Sequence, residues 1–183
     1  MVAYDRNRLM ELVRAHALQF GEFRLASGKM ATYYVDCRKL TLTAEGAVQV
    51  AAGMLERLAE IRPDAVGGMA IGADPITAAI ITLAGVRGES LKGFIVRKEA
   101  KAHGTGRDVE GPVLPGDRVV VVEDVVTTGG SSIQAIGKLR AAGIEVEKVL
   151  AILDRQAGGR EAFAAEGVAF ESLFTIADFG LEP

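Results

Sequence analysis

The sequence predicts an α/β fold, a mostly parallel central sheet covered by helices on both faces. Two observations carry that expectation. From Thr43 onward, short apolar runs of strand length alternate with segments whose apolar residues recur at helical spacing. That order builds parallel sheets through helical crossovers. Within it, Val119 to Val122 form an unbroken apolar run, and a strand apolar at every position is one buried on both faces.

The elements follow in order. From Arg8 to Phe20, Leu9, Leu12, Val13 and Ala17 fall at helical spacing and predict an amphipathic first helix. Gly21 to Arg38 reads as irregular, with several polar and aromatic groups. Thr43 is an N-cap with Glu45 in the first turn, where the helix dipole favours an acid. That helix runs through Val48, Leu55 and Leu58 and ends before Pro63. Ala65 to Ile71 is a short apolar run. Pro75, suited to a first helical turn, opens Ile76 to Leu83. Leu91 to Val96 and Val119 to Val122 are strands. Gly130 to Ala142 is a helix closed by Gly143. Val146 to Leu153 is a strand, Arg160 to Glu166 a short helix, and Val168 to Phe174 a last strand. Lys98 to Gly116 breaks this rhythm as a long, polar loop, a length that in a compact domain usually carries function.

Composition narrows the class. A chain of 183 residues without internal repeat or linker predicts one domain with room for a full core. A net charge of -3 argues against a general nucleic-acid binder, which needs a broad basic face. Cys37 is the single cysteine, which excludes an internal disulfide framework and suits a reducing cytoplasm. Met1 to Arg14 is too charged for a secretory signal. No apolar run reaches the roughly 18 residues of a membrane helix.

The informative stretch is V-V-V-V-E-D-V-V-T-T-G-G-S-S, Val119 to Ser132. Ligands bind beyond the carboxyl ends of parallel strands, and Glu123 and Asp124 sit at such an end. The turn after them carries hydroxyls and glycines into a helix start, where free N–H groups hold an anion such as phosphate. Carboxylates would repel a phosphate if both met the same group. They are sensible if they accept hydrogen bonds from neutral hydroxyls a few ångströms away. Phosphate on one side and a diol on the other describe a ribose 5-phosphate. A Walker A loop is absent, and a dinucleotide turn would put its acid about 20 residues after the glycines rather than before them.

This string closely resembles the phosphoribosyl-pyrophosphate motif of the type I phosphoribosyltransferases. Three further stretches resemble the orotate phosphoribosyltransferases among them. Arg97-Lys98-Glu99-Ala100-Lys101-Ala102-His103-Gly104 is similar to their mobile catalytic loop. Leu153-Asp154-Arg155-Gln156 is similar to their L-D-R-Q segment. Leu25-Ala26-Ser27-Gly28-Lys29 with Tyr33-Tyr34-Val35-Asp36 is similar to their N-terminal hood. The resemblance implies that fold, with residues 1–42 as first helix and hood and 98–116 as the mobile loop of a single domain, 1–183. It implies transfer of ribose 5-phosphate from 5-phosphoribosyl 1-diphosphate to orotate, Mg²⁺ as cofactor with few or no direct protein ligands, and a homodimer in which each loop completes the neighbouring site.

It also assigns residues. Glu123 and Asp124 hold the ribose hydroxyls, and Val125, Val126, Thr127, Thr128, Gly129, Gly130 and Ser131 wrap the 5′-phosphate. Arg97, Lys98, Lys101 and His103 attend the diphosphate. Tyr34, Thr127 and Arg155 meet orotate, and Lys101, His103 and Asp124 are the catalytic groups. The chemistry agrees on its own terms. A departing diphosphate needs cations where its charge grows, and Arg97, Lys98, Lys101 and Arg107 supply four within eleven residues. His103 titrates near neutrality, and Arg155 suits a carboxylate through a bidentate pair. A plainer role for Arg155 is an ion pair with Asp154, and His16 reads as polar surface. Ala26, and the Ala70-Ile71-Gly72-Ala73-Asp74-Pro75 turn expected to hold pyrophosphate, lack lysines that family members often carry. Two other readings stay open: a purine or xanthine phosphoribosyltransferase, and a non-enzymatic sensor of the phosphoribosyl donor.

Overall fold

In the computed structural model the described residues are 3–24, 30–99 and 108–183. Helix α1, Arg6–Leu12, starts where the Asp5 side chain accepts from the Arg8 N–H at 3.0 Å. It is shorter than its spacing predicts. Leu9, Leu12, Val13 and Ala17 are all buried, but Val13–Ala17 form one wider π-type turn, and Leu18 is extended. Leu18–Arg24 (β1) then pairs antiparallel with Met30–Val35 (β2), Leu18 opposite Val35 and Phe20 opposite Tyr33. Much of the stretch expected to be irregular is therefore a hairpin. Its signal is a period of two, with Tyr33 and Val35 buried and Thr32 and Tyr34 exposed. Neighbouring polar and glycine residues obscure that period in the sequence.

A short turn of helix, Arg38–Thr41 (α2), leads to α3, Ala44–Leu58. Thr43 caps α3 as its side-chain chemistry predicts, accepting from the Gly46 N–H at 3.1 Å. Ala65–Met69 (β3), Ala73–Val86 (α4) and Lys92–Val96 (β4) follow. The long loop is not wholly irregular: Val109–Glu110 (β5) pairs antiparallel with Ile95 and Val96 of β4. Residues 100–107 of that loop lie outside the described residues, as do 25–29 of the hood. Arg118–Val126 (β6), Gly130–Ala141 (α5), Glu145–Asp154 (β7), Gly159–Ala165 (α6) and Ala169–Thr175 (β8) complete the alternation, before a 3-10 turn at Ile176–Phe179.

Among the described residues the sheet order is β5-β4-β3-β6-β7-β8, with only the edge strand β5 antiparallel. The expected parallel sheet flanked by helices is what forms. The valine run shows why. Val120 and Val122 pack with Val50, Met54, Ile76 and Ile80 of α3 and α4 on one face. Val119 and Val121 pack with Ala135, Ile136, Leu139 and Phe163 of α5 and α6 on the other. A strand whose successive residues alternate faces must be apolar throughout when both faces are covered. This places the carboxyl end of β6 at the centre of the sheet, between β3 and β7.

Candidate active site

Strand β6 continues two residues beyond the valine run's acids, so Glu123 and Asp124 lie within its last part rather than past its end. Adjacent on a strand, they point to opposite sides and meet different surroundings. Glu123 is 7% exposed. Its Oε2 accepts from the Ser132 hydroxyl at 2.8 Å, and its Oε1 from the Asp124 N–H at 3.3 Å. Burial, and then the neighbouring Asp124 charge, push its carboxyl up to about 7, against the opposing pull of Ser132. Asp124 is half-buried and faces an open cavity. Its Oδ1 accepts from the Val125 N–H at 2.8 Å.

The turn after β6 reaches α5 through Gly129, which adopts a left-handed conformation with φ 81° that glycine takes without strain. A side chain there would also strike Phe163, its Cβ 2.9 Å from the ring. No side chain caps α5, so its first N–H groups are free for an anion. Residues Glu123 to Ser132 wall a cavity of about 340 Å³. A second cavity, of about 330 Å³, shares Glu123, Asp124, Val125, Thr127 and Ser131 with it and adds Tyr34, Val35, Asp36, Arg38, Met69, Ala70, Gly72 and Arg155. The two are adjoining halves of one cleft.

Three elements build the second half. The hairpin supplies Tyr34, whose ring lies 5.7 Å from that of Phe23. The turn after it supplies Asp36 and Arg38, joined through two hydrogen bonds of 2.8 and 3.2 Å that hold the Asp36 carboxyl below its usual range. The β3–α4 turn, with a cis peptide between Ala70 and Ile71, supplies Gly72. A Cβ on Gly72 would stand 2.9 Å from Asp124 Oδ1, so the missing side chain is what leaves the carboxylate its place. Beneath them Cys37 is fully buried, and burial pushes its thiol up.

The structure brings together Tyr34, the two acids, residues 125–131 and Arg155. Arg155 does not pair with Asp154, which instead accepts from the Gln156 N–H at 2.7 Å. Arg97 turns its Nε to Glu110 at 2.9 Å, and Lys98 is exposed. Lys101, His103 and Arg107 lie outside the described residues. His16 is exposed, in the turn after α1. Sequence reasoning passed over Arg38 and Ser132 as site residues, and it placed Gly72 only in the turn expected to hold pyrophosphate. The D-x-R spacing of Asp36 and Arg38 straight after a strand could have flagged the first. Ser132 closes the quoted motif but acts inward on Glu123, which only the fold reveals.

No family model matches the chain. It is 56% identical over 185 residues to the orotate phosphoribosyltransferase of Rhodopirellula baltica, covering 98% of this chain and 96% of that one. The chain belongs to the orotate phosphoribosyltransferase family. It also resembles the crystal structure of the Mycobacterium tuberculosis H37Rv orotate phosphoribosyltransferase in complex with Fe(III) dicitrate, with TM-score 0.86 and 41% identity over 96% of this chain and 99% of that one. The same enzyme in complex with 5-phospho-alpha-D-ribosyl 1-diphosphate gives TM-score 0.83 and 36% identity, over 96% and 99% of the two chains. Members of this family share the type I phosphoribosyltransferase fold, and the parallel sheet with β6 at its centre is that fold.

Proposed function

We infer that the chain transfers ribose 5-phosphate from 5-phosphoribosyl 1-diphosphate to N1 of orotate, giving orotidine 5′-phosphate and diphosphate in pyrimidine synthesis. The observation that carries this reading is a single cleft with an uncapped, glycine-bearing helix start in one half and a free carboxylate with an arginine in the other. The first half suits the 5′-phosphate, through the N–H groups opening α5 and the hydroxyls of Thr127, Thr128 and Ser131. Asp124 suits a ribose hydroxyl. Glu123, turned inward to Ser132, supports Asp124 and the turn from behind. Arg155, Tyr34 and Thr127 line the half left for orotate.

In the reaction the bond from the sugar carbon to the diphosphate oxygen breaks as the bond to N1 of orotate forms, and the N1 proton is released to water. The sugar carbon gathers positive charge while the diphosphate gathers negative charge. Asp124 beside the ribose favours the first, and the cations at Arg97, Lys98 and Lys101 favour the second. His103 donates a hydrogen bond or proton to the leaving diphosphate. Where Mg²⁺ enters with the donor it would supply further positive charge, and the Asp124 carboxylate, a hard oxygen donor facing the cleft, would stand beside it. A homodimer, with loop 98–116 of one copy closing over the other's cleft, excludes water from the donor. A reducing cytoplasm suits the free, buried Cys37. Among the described residues no helix is long and apolar enough to cross a membrane.

The test is direct. Orotate consumption is followed with the phosphoribosyl donor and Mg²⁺, then with uracil, adenine, hypoxanthine and xanthine in its place, and again with the metal chelated. Turnover of orotate alone, lost on chelation, is expected. Turnover of a purine instead would replace the base assignment.

A further inference from the structure

Arg155 carries five N–H donors on a planar fork, and its surroundings leave part of that fork unused. Its main chain is pinned, because its backbone N–H donates to the Val126 carbonyl at 2.8 Å. Its side chain is guided by one residue. The guanidinium lies over the Tyr33 ring, 5.0 Å from the centroid, and Nη2 donates to the Tyr33 hydroxyl at 3.1 Å. Nε is buried and meets no acceptor among the described residues.

The direction of that contact is set one step further back. The Tyr33 hydroxyl donates to the backbone carbonyl of Glu182 at 2.8 Å. A phenol has one hydrogen, so with it committed the oxygen can only accept from Arg155. The fork is thus held at two points, by a ring beneath it and by a fixed acceptor in front of Nη2. Tyr33 itself is 6% exposed and packs in the core, on the opposite side of β2 from Tyr34. It joins the hairpin to the segment that follows the 3-10 turn.

We propose that Tyr33, held by the Glu182 carbonyl, is a positioning residue that aims the unpaired edge of Arg155 at the base. The proposal rests on the reading that Arg155 meets orotate. A planar, anionic base offers acceptors to a fork already fixed in plane. Without the Tyr33 hydroxyl the side chain keeps its ring but loses its anchor. It regains rotamers that the base must then restrict on binding.

Steady-state kinetics test this on Tyr33→Phe, on a chain ended after Gly180, on both together, and on Arg155→Ala with and without Tyr33→Phe. Tyr33→Phe is expected to raise the orotate KM about five- to tenfold, with the donor KM changing less than about twofold. Ending the chain after Gly180 shifts the orotate KM the same way, and combining the two changes does no more than the larger alone, because they break one series. In the Arg155→Ala background Tyr33→Phe adds nothing. If Arg155→Ala raises the orotate KM and Tyr33→Phe does not, positioning is overturned while the arginine reading stands. An equal further rise on adding Tyr33→Phe to Arg155→Ala also overturns it. Both KM values rising with a lower melting temperature mark general loosening of the hairpin and count against it. Unchanged orotate kinetics in Arg155→Ala remove the arginine reading, and the proposal with it.

Discussion

At Asp124 the carboxylate faces the cleft, with room left by Gly72, while one residue earlier Glu123 is buried and bonded to Ser132. The two acids should therefore answer mutation differently. Asp124→Asn keeps the local bond to the Val125 N–H but loses the charge. It should weaken donor binding roughly ten- to hundredfold, the scale of one charge-assisted hydrogen bond, with the melting temperature nearly unchanged. Titration of donor by calorimetry beside a thermal melt checks both halves. Glu123 should show itself through pH. Its carboxyl stands at about 7 in the folded chain against an ordinary value of 4.5. Between those values the folded chain holds a proton the unfolded chain has released, so stability falls as pH rises through that window. Glu123→Gln removes the titration. The melting temperature of the wild type minus that of the variant should decline from pH 4.5 to 7 and then level. A difference flat across the window would mean that Glu123 titrates as an ordinary exposed acid.

Between elements, the loop stems are tied to the helix that opens at the phosphate turn. Lys138 on α5 donates to the Arg97 carbonyl at 2.6 Å, to the Lys98 carbonyl at 3.1 Å and to Asp108 Oδ1 at 2.7 Å. The backbone bond from Arg97 N–H to Asp108 carbonyl, 2.8 Å, lies alongside. One ammonium, only 18% exposed at its side chain, thus gathers both stems where β4 leaves and β5 returns. Lys138→Met strips three acceptors of their donor and should cost on the order of 1–3 kcal/mol of stability. Lys138→Arg should recover part of that by returning donors. Urea denaturation of the three chains reads the loss. Equal midpoints for the wild type and Lys138→Met would show that water replaces the ammonium at no cost.

Across the whole molecule, the shared site of the proposed homodimer makes a prediction that no monomer can meet. A Lys101→Ala chain lacks a loop cation, and an Arg155→Ala chain lacks the base contact, so at orotate concentrations well below the raised KM each alone has only a small residual activity. In a mixed dimer with loops exchanged, one site collects both defects and the other has neither. Activity of an equal mixture should climb to roughly a quarter of wild type, since half the dimers are mixed and each has one intact site of two. Subunit exchange without recovery would assign each loop to its own cleft.

The sequence by itself determined the alternation of strands and helices from Thr43 onward and the substance of the phosphate half of the cleft. Both are local: a four-valine run needs two covered faces, a glycine turn into a helix start frees N–H groups, and Thr43 caps with its own hydroxyl. It also put Asp124 and Arg155 at strand ends, where a parallel sheet collects its ligands. Only the tertiary structure decided which way neighbouring groups point. The hairpin of β1 and β2 exists because residues six to seventeen apart pair across it, and no local preference of Gln19 or Thr32 demands that. Glu123 lies buried at the cleft wall with its Oε2 accepting from Ser132, nine residues on. Arg155 leans on Tyr33 and not on its neighbour Asp154 because the chain folds back from 122 residues away. A side chain's partner is set by what packing brings within about 3 Å, and sequence distance says nothing about that.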